Sequence, residues 1–123
     1  MLQGISKVRV GVADQERAKQ FWLDTMRCEL AQDASYGEER WLEVRLPDGA
    51  VLILEQRDGA ILQAPDGQPN TPVFFYCDDL DATWRQLTQR GVRFVQEPID
   101  MPFGRWSLFE DTEGNRFPLT ARA

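Results

Sequence analysis

The chain of 123 residues carries 14 Lys and Arg against 20 Asp and Glu, a net charge of −6, with 42% hydrophobic residues and no histidine. That length supports one domain, or two very small modules sharing a core, and hides roughly two-thirds of the unfolded surface. The acidity disfavours nucleic acid and anionic membrane as partners, and the missing imidazole excludes His acid–base catalysis, Ser-His and Cys-His nucleophiles and every His-ligated metal site.

Lys7–Val12 alternates valine with other residues at period 2, which predicts a half-buried strand. Asp14 then caps a helix, with Glu16 favourable in the first turn and Ala18, Phe21, Trp22 and Met26 as its apolar stripe. Glu29–Gln32 reads as a short strand, and Trp41–Leu46 with Ala50–Glu55 as a hairpin around Pro47-Asp48-Gly49. Residues 57–70, with two Pro and two Gly, read as a surface linker. Pro72–Cys77 is the next strand. Asp79 caps a helix whose Leu80, Trp84 and Leu87 fall at i, i+4, i+7 and which Gly91 ends. Val92–Val95, Arg105–Glu110 and Asn115–Thr120 complete the set. No signal-like segment opens the chain, and no apolar run approaches the ~20 residues of a membrane span. A cytoplasmic protein with Cys28 and Cys77 as reduced, buried thiols is therefore expected.

The chain repeats itself at an offset of 65. Arg40-Trp41 returns as Arg105-Trp106 and Gly49 as Gly114; Val8, Val10 and Val12 map onto Val73, Phe75 and Cys77, and Asp14 onto Asp79. This predicts an α+β fold of tandem βαβββ modules within a single domain, residues 1–56 and 71–123 flanking the 57–70 linker.

A tandem βαβββ repeat of this length resembles the vicinal oxygen chelate superfamily, the glyoxalase / bleomycin resistance protein / extradiol dioxygenase group. The passage from Val12 through Asp14 to Trp22 is similar to that family's first strand-to-helix step, Asp78-Asp79-Leu80-Asp81-Ala82-Thr83 to its second, and Asp111-Thr112-Glu113-Gly114-Asn115 to its last hairpin. The resemblance implies a curled mixed sheet around an internal cavity, and a homodimer. Metal-dependent members draw two ligands from each module. The matching positions here are Lys7, Ile53, Pro72 and Pro118, none of which binds a divalent metal in the ordinary way. No metal and no cofactor are expected.

Alternation places Lys7, Arg9, Trp41, Glu43, Arg45, Val51, Ile53 and Glu55 on the strand faces away from the first helix. Pro72, Phe74, Tyr76, Trp106, Leu108, Glu110, Arg116, Pro118 and Thr120 take the matching faces of the second module. Lys7, Arg9, Trp41, Phe74, Tyr76, Phe103, Trp106 and Arg116 are the candidate ligand contacts, Phe103 because it lies on an apolar loop, Ile99–Trp106, of the kind that closes over a ligand in the family. Glu43, Glu55 and Glu110 are the candidate general bases. Each has a plainer alternative: Trp41 and Trp106 share a repeat position and with it a structural role, the acids pair with Lys7 and Arg9, and Phe74 and Tyr76 fill the sheets. Trp22 and Trp84 are expected in the core, and Cys77 on the helix side of its strand. Metal-independent binding of a small hydrophobic or aromatic molecule is the expected function. The alternatives are a lyase, isomerase or dioxygenase-like enzyme working through these carboxylates, and a metal enzyme using carboxylates and water alone.

Overall fold

A computed structural model describes residues 1–58 and 62–122. The chain divides into two compact units, Met1–Gly59 and Ala60–Ala123. Unit 1 contains strands β1 (Lys7–Val12), β2 (Glu29–Tyr36), β3 (Glu39–Arg45) and β4 (Val51–Gln56), with helix α1 (Gln15–Gln20). Unit 2 contains β5 (Phe75–Cys77), β6 (Phe94–Met101), β7 (Gly104–Glu110) and β8 (Arg116–Ala121), with helix α2 (Leu80–Gln89). Each unit forms its own four-stranded mixed sheet, ordered β1-β4-β3-β2 in one and β5-β8-β7-β6 in the other, with the β1–β4 and β5–β8 pairs parallel.

The repeat is physical as well as sequential. The Asp14 carboxylate accepts from Arg17 N at 3.0 Å, and that of Asp79 from Ala82 N at 3.0 Å, both caps holding extended backbone. Arg40 reaches Glu16 at 3.1 Å, and Arg105 reaches Asp81 at 2.8 Å. The recurring Arg thus ties the start of a strand to the first turn of its helix. The last hairpins also close alike: Leu46 N donates to Ala50 O at 2.8 Å, and Asp111 N to Asn115 O at 3.0 Å.

Two helix ends break the symmetry. In unit 1 the helical run widens into a π-turn, Phe21–Thr25, with Met26 N donating five residues back to Phe21 O. The widening lets adjacent Phe21 and Trp22 both turn inward, at 7% and 1% exposure, their rings edge to face at 5.2 Å. The turn after it holds Arg27 at φ 61, and Cys28 N closes back to Trp22 O at 2.8 Å. In unit 2 the same job falls to Gly91 at φ 90, with Val92 N closing to Leu87 O. A left-handed conformation is free for glycine but costs a side-chain-bearing residue about 1–2 kcal/mol.

Several expected boundaries move. β2 runs to Tyr36, four residues past the predicted end, and β6 starts at Phe94 and continues to Met101. The expected apolar loop Ile99–Trp106 is instead a hairpin, with Met101 opposite Gly104 and only Pro102 and Phe103 in the turn. The strand predicted from Pro72 begins at Phe75. Pro72 has no N–H to donate, and upstream of it side chains replace the ladder: Arg116 N donates to Asn70 Oδ1 at 2.7 Å, and Thr71 Oγ1 to Arg116 O at 3.1 Å. Asn70 is accordingly buried rather than part of a surface linker. Residues 59–61 of that linker lie outside the described residues. Trp84 is half-buried, whereas Trp22 is enclosed as expected.

The unit 1 core is Val10, Val12, Leu42, Val44, Leu52 and Leu54 under Ala18 and Trp22. Gln15, buried at the helix start, donates through Nε2 to Leu54 O at 2.9 Å and Arg40 O at 3.1 Å, locking the helix onto two strands. In unit 2 Phe109 is the hub, its ring 5.3 Å from Phe117, 5.8 Å from Phe75 and 6.0 Å from Phe94.

The turn before β8 holds a buried carboxylate. Asp111 accepts from Glu113 N at 2.8 Å, Asn115 N at 2.9 Å and Asn115 Nδ2 at 2.8 Å. Burial nevertheless pushes its pKa up to about 6, against the lowering effect of those bonds. The folded pKa lies above the unfolded one, so the native state takes up the proton more readily. The resulting stability is present below about pH 4 and lost as pH rises through about 6. Comparing urea unfolding at pH 4 and pH 7 for the wild type and Asp111→Asn isolates this group. The wild type is expected to lose up to about 3 kcal/mol more than the variant over that rise, and equal pH responses would contradict the assignment.

Candidate functional site

In unit 1 the alternating residues of β1, β3 and β4 share one face, whereas in unit 2 Pro72 and Phe74 lie ahead of β5 and so on no strand face. In unit 1 the register aligns Lys7, Val51 and Arg45 in one row, Arg9, Ile53 and Glu43 in the next, and Gly11 beside Glu55 in a third. Gln32, Ala34 and Tyr36 extend this face, opposite Glu43, Trp41 and Glu39. The predicted end of β2 at Gln32 missed Tyr36, although period-2 alternation through Ala34 reaches it.

The polar centre of this face is Glu43, only 4% exposed. Its Oε2 accepts from Lys7 Nζ at 2.6 Å and from Trp41 Nε1 at 2.7 Å. Burial works against ionisation, but the hydrogen bonds from Lys7 and Trp41, with the charges of Lys7 and Arg45, outweigh it and hold the carboxyl below its usual range. Glu43 is therefore a fixed anion and a weak base. Val51 and Ile53, each 8% exposed, flank it with apolar surface. Arg9 stands 3.9 Å from Glu55 Oε2, an atom that is buried and has no hydrogen-bond partner among the described residues.

The unit 2 face is apolar at its middle. Leu108 and Pro118 are buried side by side, Trp106 is half-buried opposite Thr120, and Glu110 pairs with Arg93 at 3.1 Å. Phe74 is 69% exposed, and Phe103, at the hairpin tip, is 70% exposed. Tyr76 accepts at its hydroxyl from Arg122 Nη2 at 2.9 Å, and the same guanidinium lies 4.7 Å from the ring centre. Arg116 turns its guanidinium to backbone carbonyls of Ala64, Pro65 and Gln68, so its charge holds the segment ahead of β5 within unit 2. Arg122 and the Arg116 carbonyl contacts had no signal in the alternation pattern, which reports faces but not where a long side chain ends.

The four positions matching family metal ligands do not suit a metal. Lys7 is committed to Glu43, Ile53 and Pro118 are buried apolar groups, and Pro72 lies ahead of β5. Among the described residues no group of three or more Cys, Asp or Glu is placed to hold a metal ion. Cys28 and Cys77 are free; burial pushes the Cys28 thiol up to about 11 and raises that of Cys77, which shares the helix side of β5 with Phe75. No helix of the described residues is long and apolar enough to cross a membrane.

Comparison with known proteins agrees with this architecture. The chain is 36% identical over 120 residues to the uncharacterized protein YetH of Bacillus subtilis (strain 168), covering 97% of this chain and 98% of that one. Among solved structures it resembles a superfamily member from Sphaerobacter thermophilus DSM 20745, with 27% identity, 99% and 100% coverage and a TM-score of 0.82. It also resembles TnmS3, an antibiotic binding protein from Streptomyces sp. CB03234, with 29% identity, 100% and 99% coverage and a TM-score of 0.76. A family model matches residues 4–119, and the chain belongs to the glyoxalase/bleomycin resistance protein/dioxygenase superfamily.

Proposed function

We propose that this protein binds a small hydrophobic or aromatic molecule without a metal, on the strand faces turned from the helices. The carrying observation is the Lys7–Glu43–Trp41 cluster, a fixed ion pair with an indole anchored beside it and apolar Val51 and Ile53 around it. Such a surface stacks and orients a flat molecule. The antibiotic-binding relative TnmS3 supports the reading. So do Phe74, Tyr76 and Phe103, large exposed rings that Arg9 and Trp106 accompany as the remaining proposed contacts. A homodimer in the cytoplasm belongs to the same proposal; sedimentation of the purified chain tests the dimer.

Titrating the protein with a panel of aromatic compounds and antibiotics, read by tryptophan fluorescence, tests the binding. A saturable change is expected, and Trp41→Ala should weaken the bound compound about 10-fold, the scale of one lost aromatic pair plus its buried area. A flat response across the panel would overturn the reading. One observation favours an enzyme instead: Glu55 Oε2 is buried 3.9 Å from Arg9 and accepts no hydrogen bond among the described residues, which leaves it available to a donor group of a bound molecule. Turnover of a bound compound that Glu55→Gln abolishes would establish that second reading.

A further inference from the structure

We propose that Arg9 and Glu55 select, among the small aromatic molecules of the proposed function, those bearing a neutral hydroxyl group, whose oxygen bridges the guanidinium and the carboxylate; the assignment rests on that binding function. Arg9 Nη1 and Glu55 Oε2 stand 3.9 Å apart, whereas the other ion pairs among the described residues close to between 2.6 and 3.1 Å. The gap is too long for a hydrogen bond between the two groups, and it matches one oxygen placed about 2.8 Å from each.

The carboxylate is short of a donor. Its Oε2 is buried and accepts no hydrogen bond among the described residues, although the Glu55 side chain as a whole is 32% exposed and so has room to turn toward a ligand. The cross-strand partner of Glu55 in β1 is Gly11, which has no side chain to supply one. A buried carboxylate oxygen without a donor is unfavourable, so a bound group that provides one gains affinity there. The fold itself does not call for this pair. At the offset of 65, Arg9 and Glu55 correspond to Phe74 and Thr120, and unit 2 builds the same strand order with them.

The pair also lies where an aromatic ligand would present a substituent. Trp41 and Glu55 each stand two residues from the Glu43–Ile53 cross-strand pair, toward the same end of the sheet. Side-chain stems of cross-strand neighbours are about 5 Å apart. A ring laid on the Trp41 indole, which Glu43 holds in place, therefore brings a group on its edge to Arg9 and Glu55.

A hydroxyl suits both ends from a single atom, donating to Oε2 and accepting from Nη1. An ether oxygen accepts from Arg9 but leaves the carboxylate unpaired. An aromatic amine donates to Glu55, but its nitrogen lone pair is drawn into the ring and accepts poorly from Arg9. An ammonium is repelled by Arg9 and a bare anion by Glu55.

Calorimetric titration of the intact chain with 2-naphthol, 2-methoxynaphthalene and 2-naphthylamine, near neutral pH where all three are uncharged, tests the selection on one shared ring system. 2-Naphthol is expected to bind about 10-fold more tightly than either of the others, the scale of a hydrogen bond to a charged group. Glu55→Leu and Arg9→Met should each narrow that preference to about 2-fold, because each removes one end of the bridge. Equal binding of 2-naphthol and its methyl ether, or an undiminished preference in either variant, would overturn the selection while leaving aromatic binding in place. Absence of saturable binding by 2-naphthol would overturn it as well; the binding function falls with it only if the wider panel of aromatic compounds is also silent.

Discussion

Phe109→Ala is expected to lower the unfolding free energy by about 3–5 kcal/mol, the range for removing a fully buried ring without refilling its space. Phe109 is 0% exposed and touches three other rings at 5.3–6.0 Å. Neighbouring backbone is pinned in the β7–β8 register, where Phe109 faces Phe117, so collapse into the void is limited. The thermal midpoint should fall by on the order of 10 °C or more. Phe94→Ala, at a half-buried partner on an outer strand, should cost clearly less. Chemical denaturation of both variants checks the ranking, and a Phe109→Ala loss below 1 kcal/mol would remove it as the hub.

Lys7→Met is expected to cost about 2–3 kcal/mol at pH 7. The change strands the Glu43 carboxylate, its side chain 6% exposed, with Trp41 Nε1 as its remaining close donor. Stranding one member of a fully buried pair costs about 3–5 kcal/mol; Lys7 itself is 40% exposed, so water screens part of the effect. The pH dependence has a definite sign. Glu43 is held below its ordinary pKa in the wild type, so the stability it contributes is present above the unfolded carboxylate value, about 4.3, and lost as pH falls through the folded one. The gap between wild type and variant should therefore be widest near neutrality and shrink below about pH 4. Lys7→Met/Glu43→Leu, which leaves no orphan charge, should recover most of the loss. A variant gap independent of pH would mean that packing of the Lys7 stem, rather than charge, is what matters.

The 65-residue repeat made the order of elements legible because each unit reuses local chemistry strong enough to read alone: an Asp cap, a valine alternation, a turn ending in glycine. It also placed Lys7, Trp41 and Glu43 on one face. What it could not carry was the asymmetry between copies. The π-turn at Phe21–Thr25 is a change of hydrogen-bond step, and the apolar stripe of Ala18, Phe21, Trp22 and Met26 is compatible with either step. Strand ends were obscured where side chains substitute for the ladder, as at Asn70 and Thr71, and where polar residues continue a strand, as in Gln32–Tyr36. Arg116 lies on the face that alternation gives it, but its flexible stem carries the charge back to Ala64, Pro65 and Gln68.

In both units the parallel pair joins strands whose partners stand 44 residues apart, Lys7 with Val51 and Phe75 with Leu119. The remaining pairs in each sheet are antiparallel neighbours in sequence. Closing the long loop carries the larger entropic cost, so the hairpins are expected to assemble before β1 docks. The same hierarchy governs breathing of the native state. Amide protons of β1 should exchange ahead of those in β3 and β4, and each such opening carries Lys7 and Arg9 away together, switching off the cationic side of the sheet face while its carboxylates stay in place.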